Sequence, residues 1–216
     1  MIKYLNQVLL HHRGAYLPVI LTRMSFAYSS VGFTERAKNI LSDKFQLDGD
    51  SVQYYFRLGD LESSNNNLQK ALDYYLQAYK MNPSFLILLQ RTAQCYSFLG
   101  QHDKSLVFNK KIIDALDIQN EEYLMIRNDL HRIGYSFFMT GDTVTADYYF
   151  NLQVKVCLKA IETERAFSDY FHYDLAAVQA FRGEKKKAYK NLKILARKER
   201  FRKWFLSLIE VDPLFD

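Results

Sequence analysis

Four arginines, Arg23, Arg57, Arg91 and Arg132, recur along the 216-residue chain at intervals of 34, 34 and 41. A guanidinium is a planar fork of N–H donors that stays charged at physiological pH. It captures carboxylates and phosphates through two-point contacts. Aromatic residues are interleaved with the row: Phe26, Phe56, Phe98 and Tyr135. Cations interleaved with rings suit an extended peptide bearing acidic and apolar side chains. The same surface would attract single-stranded nucleic acid. Two structural roles compete with the ligand role: pairing with neighbours such as Asp60, and lying along adjacent helices with only the head in water.

Other chemistry is thinly represented. His11 and His12 are adjacent, so they point to different faces and suit a shared metal poorly. His102, His131 and His172 stand alone, and no HExxH or Cys/His ligand spacing occurs. The stretch from Gly100, GQHDKS, lacks the glycine that precedes the lysine of a phosphate loop. The pairs Glu121/Glu122 and Glu162/Glu164 read as solvated charges at helix ends. Cys95 and Cys157 form no CxxC pair and fall on apolar faces, which points to buried free thiols and a reducing, cytoplasmic compartment. No catalytic, cofactor or metal residues are expected.

The net charge of +5 is unevenly placed. Residues 182–203 hold eleven Lys or Arg against Glu184 and Glu199, a local +9, so the remainder is mildly acidic. Lys185, Lys186, Lys187, Lys190, Lys193, Arg197, Lys198 and Arg200 share a helical pattern with Ala188, Tyr189, Leu192 and Leu195. The pattern reads as a solvated basic face over a buried one. The alternative is contact with nucleic acid or an anionic surface. No apolar run is long enough to span a membrane as a helix.

Three prolines, eight glycines and 49% hydrophobic residues fit an all-α protein. The elements that must position the arginines are clearest at Val52 to Pro83. Tyr55, Leu58, Gly59 and Glu62 sit on one helix. Ala71, Tyr75 and Ala78 sit on the next, and Pro83 closes the unit. This pattern resembles a tetratricopeptide repeat, a helix pair of about 34 residues. Three slots recur five times: Ser25, Gly59, Ala93, Gly134 and Ala176; Ala37, Ala71, Ser105, Ala146 and Ala188; Gly32, Asn66, Gly100, Gly141 and Gly183. The first two are where paired helices cross closely. The third is the turn, which needs a left-handed residue.

The expected architecture is a single domain over 1–216, a right-handed α-solenoid of five such pairs. It comprises a leading helix at 1–16, five repeats at 17–199 and a capping helix and tail at 200–216. The capping helix bears Trp204, Phe205, Leu208 and Ile209. The last two repeats are lengthened. Helices around a connection near Asp117 to Asn120 take up a surplus of seven, and a long helix runs from Thr143 to about Glu162. Asn109 is off pattern where an aromatic is wanted.

In this family the first helix of each pair lines the concave wall, and the resemblance therefore implies a peptide groove there. Offsetting from the core slots gives the expected groove residues Arg23, Phe26, Phe56, Arg57, Asp60, Gln90, Arg91, Gln94, Phe98, Asn128, His131, Arg132, Tyr135 and Tyr173. The clamp with which some members grip acidic chaperone tails is not matched. Thr22, Phe26, Arg57 and Ile87 depart from it and only Arg91 agrees. The expectation is a non-catalytic scaffold for a protein or peptide partner, with nucleic-acid contact through the basic C-terminal helix as the alternative.

Overall fold

The computed structural model describes residues 14–116, 129–164, 168–198 and 208–215, together with positions 3 and 7. Helix α1 (Leu17–Ser30) opens on Pro18, whose fixed φ and missing N–H suit a first helical turn. Next come α2 (Thr34–Asp48), α3 (Ser51–Ser64), α4 (Leu68–Met81), α5 (Leu86–Phe98) and α6 (His102–Ala115). The series continues with α7 (Leu130–Met139), α8 (Thr143–Glu162), α9 (Ser168–Phe181) and α10 (Lys185–Lys198). A helical turn at 208–211 and a 3-10 turn, Pro213–Phe215, end the described chain. No strand occurs among the described residues.

The chain divides into two compact units, with the boundary inside α5; residues 209–215 belong to the second. In the first unit α1 packs on α2, and α3 on α4. Ile20, Leu21 and Met24 of α1 meet Ala37 and Leu41 of α2 and Leu58 of α3 in one buried cluster. The crossings are tight. A Cβ on Gly59 would come within 2.4 Å of the Tyr75 ring. Ser25 Oγ donates to the Ala37 carbonyl at 3.0 Å, tying the two small slots of that pair together.

In the second unit α7 packs on α8, α9 on α10, and α8 also on α9. Ser105 Oγ donates to the Ala93 carbonyl at 2.9 Å, repeating the Ser25 contact with the roles of the slots exchanged. Asn109 is buried because its amide donates to Ser136 Oγ at 2.7 Å. A hydrogen bond to the next helix pair replaces the aromatic there. Tyr135, Phe150, Val178 and Leu214 share the core of this unit.

All five turn-slot residues are left-handed, with φ of 88° at Gly32, 59° at Asn66, 71° at Gly100, 94° at Gly141 and 73° at Gly183. Asn is the side chain that tolerates this region best after glycine, which explains the one exception. Helix α8 has 20 residues where α4, α6 and α10 have 14, in line with the long helix expected from Thr143. Helix α6 stops at Ala115, and Leu116 is extended at φ −86°, ψ 133°, just before the expected connection. The connection at Asp117 to Asn120, the carboxylates Glu121 and Glu122, and Asn128 lie outside the described residues. So do His11, His12, nearly all of the leading helix, Arg200, Trp204 and Phe205.

Candidate partner-binding face

On the first unit, α1 and α3 carry the first two arginines of the row. Arg23 is exposed, and Phe26, three residues on, is 51% exposed. Arg57 Nη1 donates to Asp60 Oδ2 at 3.0 Å, and its guanidinium lies 5.0 Å over the Phe56 ring. Tyr75 Oη donates to the other oxygen of Asp60 at 2.9 Å. Asp60 therefore fixes the orientation of Arg57, whose side chain stays 40% exposed. Phe56 is buried against Phe85 and Tyr75, which corrects its place on an open face.

On the second unit, Arg91 is exposed and its Nη1 donates to Gln94 Oε1 at 3.1 Å. Gln94 is buried, again against expectation, and Gln90 and Phe98 are half-buried. Arg132 differs from the other three. Its Nη2 donates to Asp212 Oδ2 at 3.0 Å, and its side chain is only 11% exposed. Asp129 stands 3.9 Å from its Nε, and the Phe98 ring lies 5.1 Å beneath the guanidinium. Burial works against the Arg132 charge. The nearby Asp212, with Tyr173, Asp129 and Asp174, outweighs it and holds the group above its usual range.

Asp212 was not expected, and it organises this face. Its side chain is 0% exposed. Tyr173 Oη donates to Oδ2 at 2.6 Å, and the Leu214 amide donates to Oδ1 at 3.2 Å. Leu214 is buried beside Tyr135 and Val178, and the Phe215 ring packs on Tyr173 at 5.6 Å. Tyr135 and Tyr173 are thus covered by the chain's own tail. The signal for this lay in the tail itself: VDPLFD is an acidic and apolar segment, the composition that the arginine row suits.

His131 is a core residue. Its backbone N–H and its ring Nδ1 both meet Gln153 Oε1 at 3.2 Å, so Nδ1 carries the proton. Nε2 faces Asp174 Oδ1 at 3.8 Å. Burial, helped by Arg132, pushes the imidazole down to about 4, and it is neutral at pH 7. Burial, with Asp129 adding, pushes the Asp174 carboxyl well above the carboxylate range. Gln153 Nε2 also donates to Cys157 Sγ at 3.1 Å. Burial raises that thiol well above its ordinary value, the opposite of what a nucleophilic cysteine needs. Cys95 and Cys157 are both free and buried. Among the described residues no cluster of His, Cys, Asp and Glu has the arrangement of a metal site. None of the described helices is long and apolar enough to cross a membrane.

On α10, Lys185, Lys186, Lys187, Lys190, Lys193 and Arg197 are exposed, while Ala188, Asn191 and Leu195 are buried. The basic stripe is solvated, as its periodicity implied.

A family model described as tetratricopeptide repeat matches residues 52–85. No curated protein sequence matches the chain. Among solved structures, MamA superposes with a TM-score of 0.53 at 20% identity, over 74% of this chain and 89% of that one. MamA from Desulfovibrio magneticus RS-1, residues 41 to the end, gives 0.54 at 13% identity, over 88% and 98%. Nearly identical TPR-like repeats from a Podosopora anserina putative kinesin light chain give 0.55 at 14% identity, over 86% and 96%. Residues 52–85 are a tetratricopeptide repeat, and the chain around them has the all-α, helix-pair fold of tetratricopeptide-repeat proteins.

Proposed function

We propose that the protein is a non-catalytic interaction scaffold. Its first-helix faces take extended segments of a protein partner, with arginines on the carboxylates and rings against the apolar side chains. One observation carries the reading: Arg132, a member of the recurring row, holds a carboxylate from an acidic and apolar segment at 3.0 Å. Arg23 and Arg57 offer the same group on the first unit, with Phe26 exposed beside Arg23. Two buried free thiols suit a cytoplasmic setting.

The test is binding of a set of acidic–apolar peptides to wild type and to Arg23→Ala/Arg57→Ala, followed by fluorescence anisotropy. Charge-assisted contacts of this kind are worth about 1.5–3 kcal/mol each, so affinity falls at least tenfold in the variant. Equal affinities overturn the reading. A second reading, contact with nucleic acid or anionic lipid, rests on the exposed lysines of α10. It requires retention on DNA or liposomes that falls steeply with salt, and no retention at low salt removes it.

A further inference from the structure

The contact between α7, α9 and the tail has the parts of a recognition site. Two donors from different helices, Arg132 Nη2 at 3.0 Å and Tyr173 Oη at 2.6 Å, converge on one carboxylate oxygen of Asp212. Two residues further on, Leu214 enters an apolar site beside Tyr135 and Val178, and Phe215 stacks edgewise on Tyr173. The tail is preorganised for this. Asp212 Oδ1 accepts its own chain's Leu214 amide at 3.2 Å, and the Phe215 amide donates to the Asp212 carbonyl at 3.0 Å. Side chains of charge, aliphatic and aromatic type are thus presented at positions 0, +2 and +3 from a single turn.

We infer that the α7–α9 face is a binding site for Asp-Pro-Leu-Phe-like segments, occupied in cis by Asp212 to Phe215, and that a partner carrying the same arrangement binds by displacing this tail. The inference rests on the scaffold reading and names the ligand of one of its faces. Exchange of one such segment for another conserves the contacts, so the intrinsic energies nearly cancel. The tethered copy then wins by effective concentration, which for a short link is in the millimolar range. A free peptide is accordingly a poor competitor until the tether's own contacts are weakened.

The experiment uses the full chain and a fluorescein-labelled peptide LIEVDPLFD, the sequence of residues 208–216. In Asp212→Asn/Leu214→Ala the internal segment loses its charge and its apolar anchor. The labelled peptide then binds at least tenfold more tightly than to wild type, and a peptide with Asn for Asp binds at least tenfold more weakly than its parent. Equal affinity for wild type and variant overturns the inference, as does dimerisation of the variant without peptide binding. Should circular dichroism show that the double variant is unfolded, Asp212→Asn alone decides the matter by hydrogen exchange. At least tenfold faster exchange of the 214 and 215 amides, with α7 and α9 unchanged, supports displacement. Opening of all three together overturns it. In the Arg23→Ala/Arg57→Ala background this peptide retains its affinity, so failure here and failure of the first-unit reading give different patterns.

Discussion

Arg57 and Arg132 hold equivalent places in the row and carry different energetic weight. The Arg57–Asp60 pair is partly exposed and screened by water. Arg57→Ala should cost roughly 0–1 kcal/mol in urea unfolding. Arg132→Ala removes the cation paired with a carboxylate of 0% exposure, and should cost about 3–5 kcal/mol. Replacing both partners, Arg132→Met with Asp212→Leu, should recover most of that loss, because it removes the orphaned charge. His131 and Asp174 give the second unit opposed pH limbs. The depressed imidazole contributes stability above its unfolded value of 6.5. That contribution is lost as pH falls from 6.5 to about 4, at up to about 1.4 kcal/mol per unit. The raised Asp174 carboxyl acts in the other sense: stability present below its unfolded value declines as pH rises toward the folded one. Asp174→Asn should therefore stabilise the protein at pH 7, and His131→Asn should flatten the acid limb. Thermal melts between pH 4 and 8 check both.

At the scale of elements, the helix pairs were legible because their demands on residue type are absolute. A close crossing admits nothing larger than a small residue, and a left-handed turn selects Gly or Asn. Gly59→Ala should cost about 1–3 kcal/mol through overpacking on the Tyr75 ring. Asn66→Gly at φ 59° should be neutral or slightly stabilising, as denaturant midpoints would show. The residues expected in the groove were less legible, for a physical reason. Periodicity separates a helix's core stripe from the rest, but it does not reveal what a distant segment covers. Phe56 is enclosed by Phe85 and Tyr75. Tyr173 is enclosed by a tail 39 residues later in sequence, and Arg132 is paired across 80. The length of α8 was readable from the surplus between Ala146 and Ala188. The end of α6 at Ala115 falls within two residues of the connection read at Asp117 to Asn120.

For the molecule as a whole, the distribution of charge and of thiols distinguishes its parts. The exposed lysines of α10 predict salt-sensitive retention on anionic supports, and charge reversal at Lys186 and Lys190 should abolish it if the second reading holds. The chain's two cysteines, Cys95 and Cys157, both belong to the second unit, both are buried, and the first unit contains neither. A thiol reagent therefore meets no reactive group on the intact protein, and every adduct it forms reports an opening of the second unit. Alkylation rates followed by mass spectrometry would serve as a clock for that half of the chain alone, with no label introduced. A ligand bound on the first unit would leave the clock running unchanged, whereas one bound between α7 and α9 would slow it.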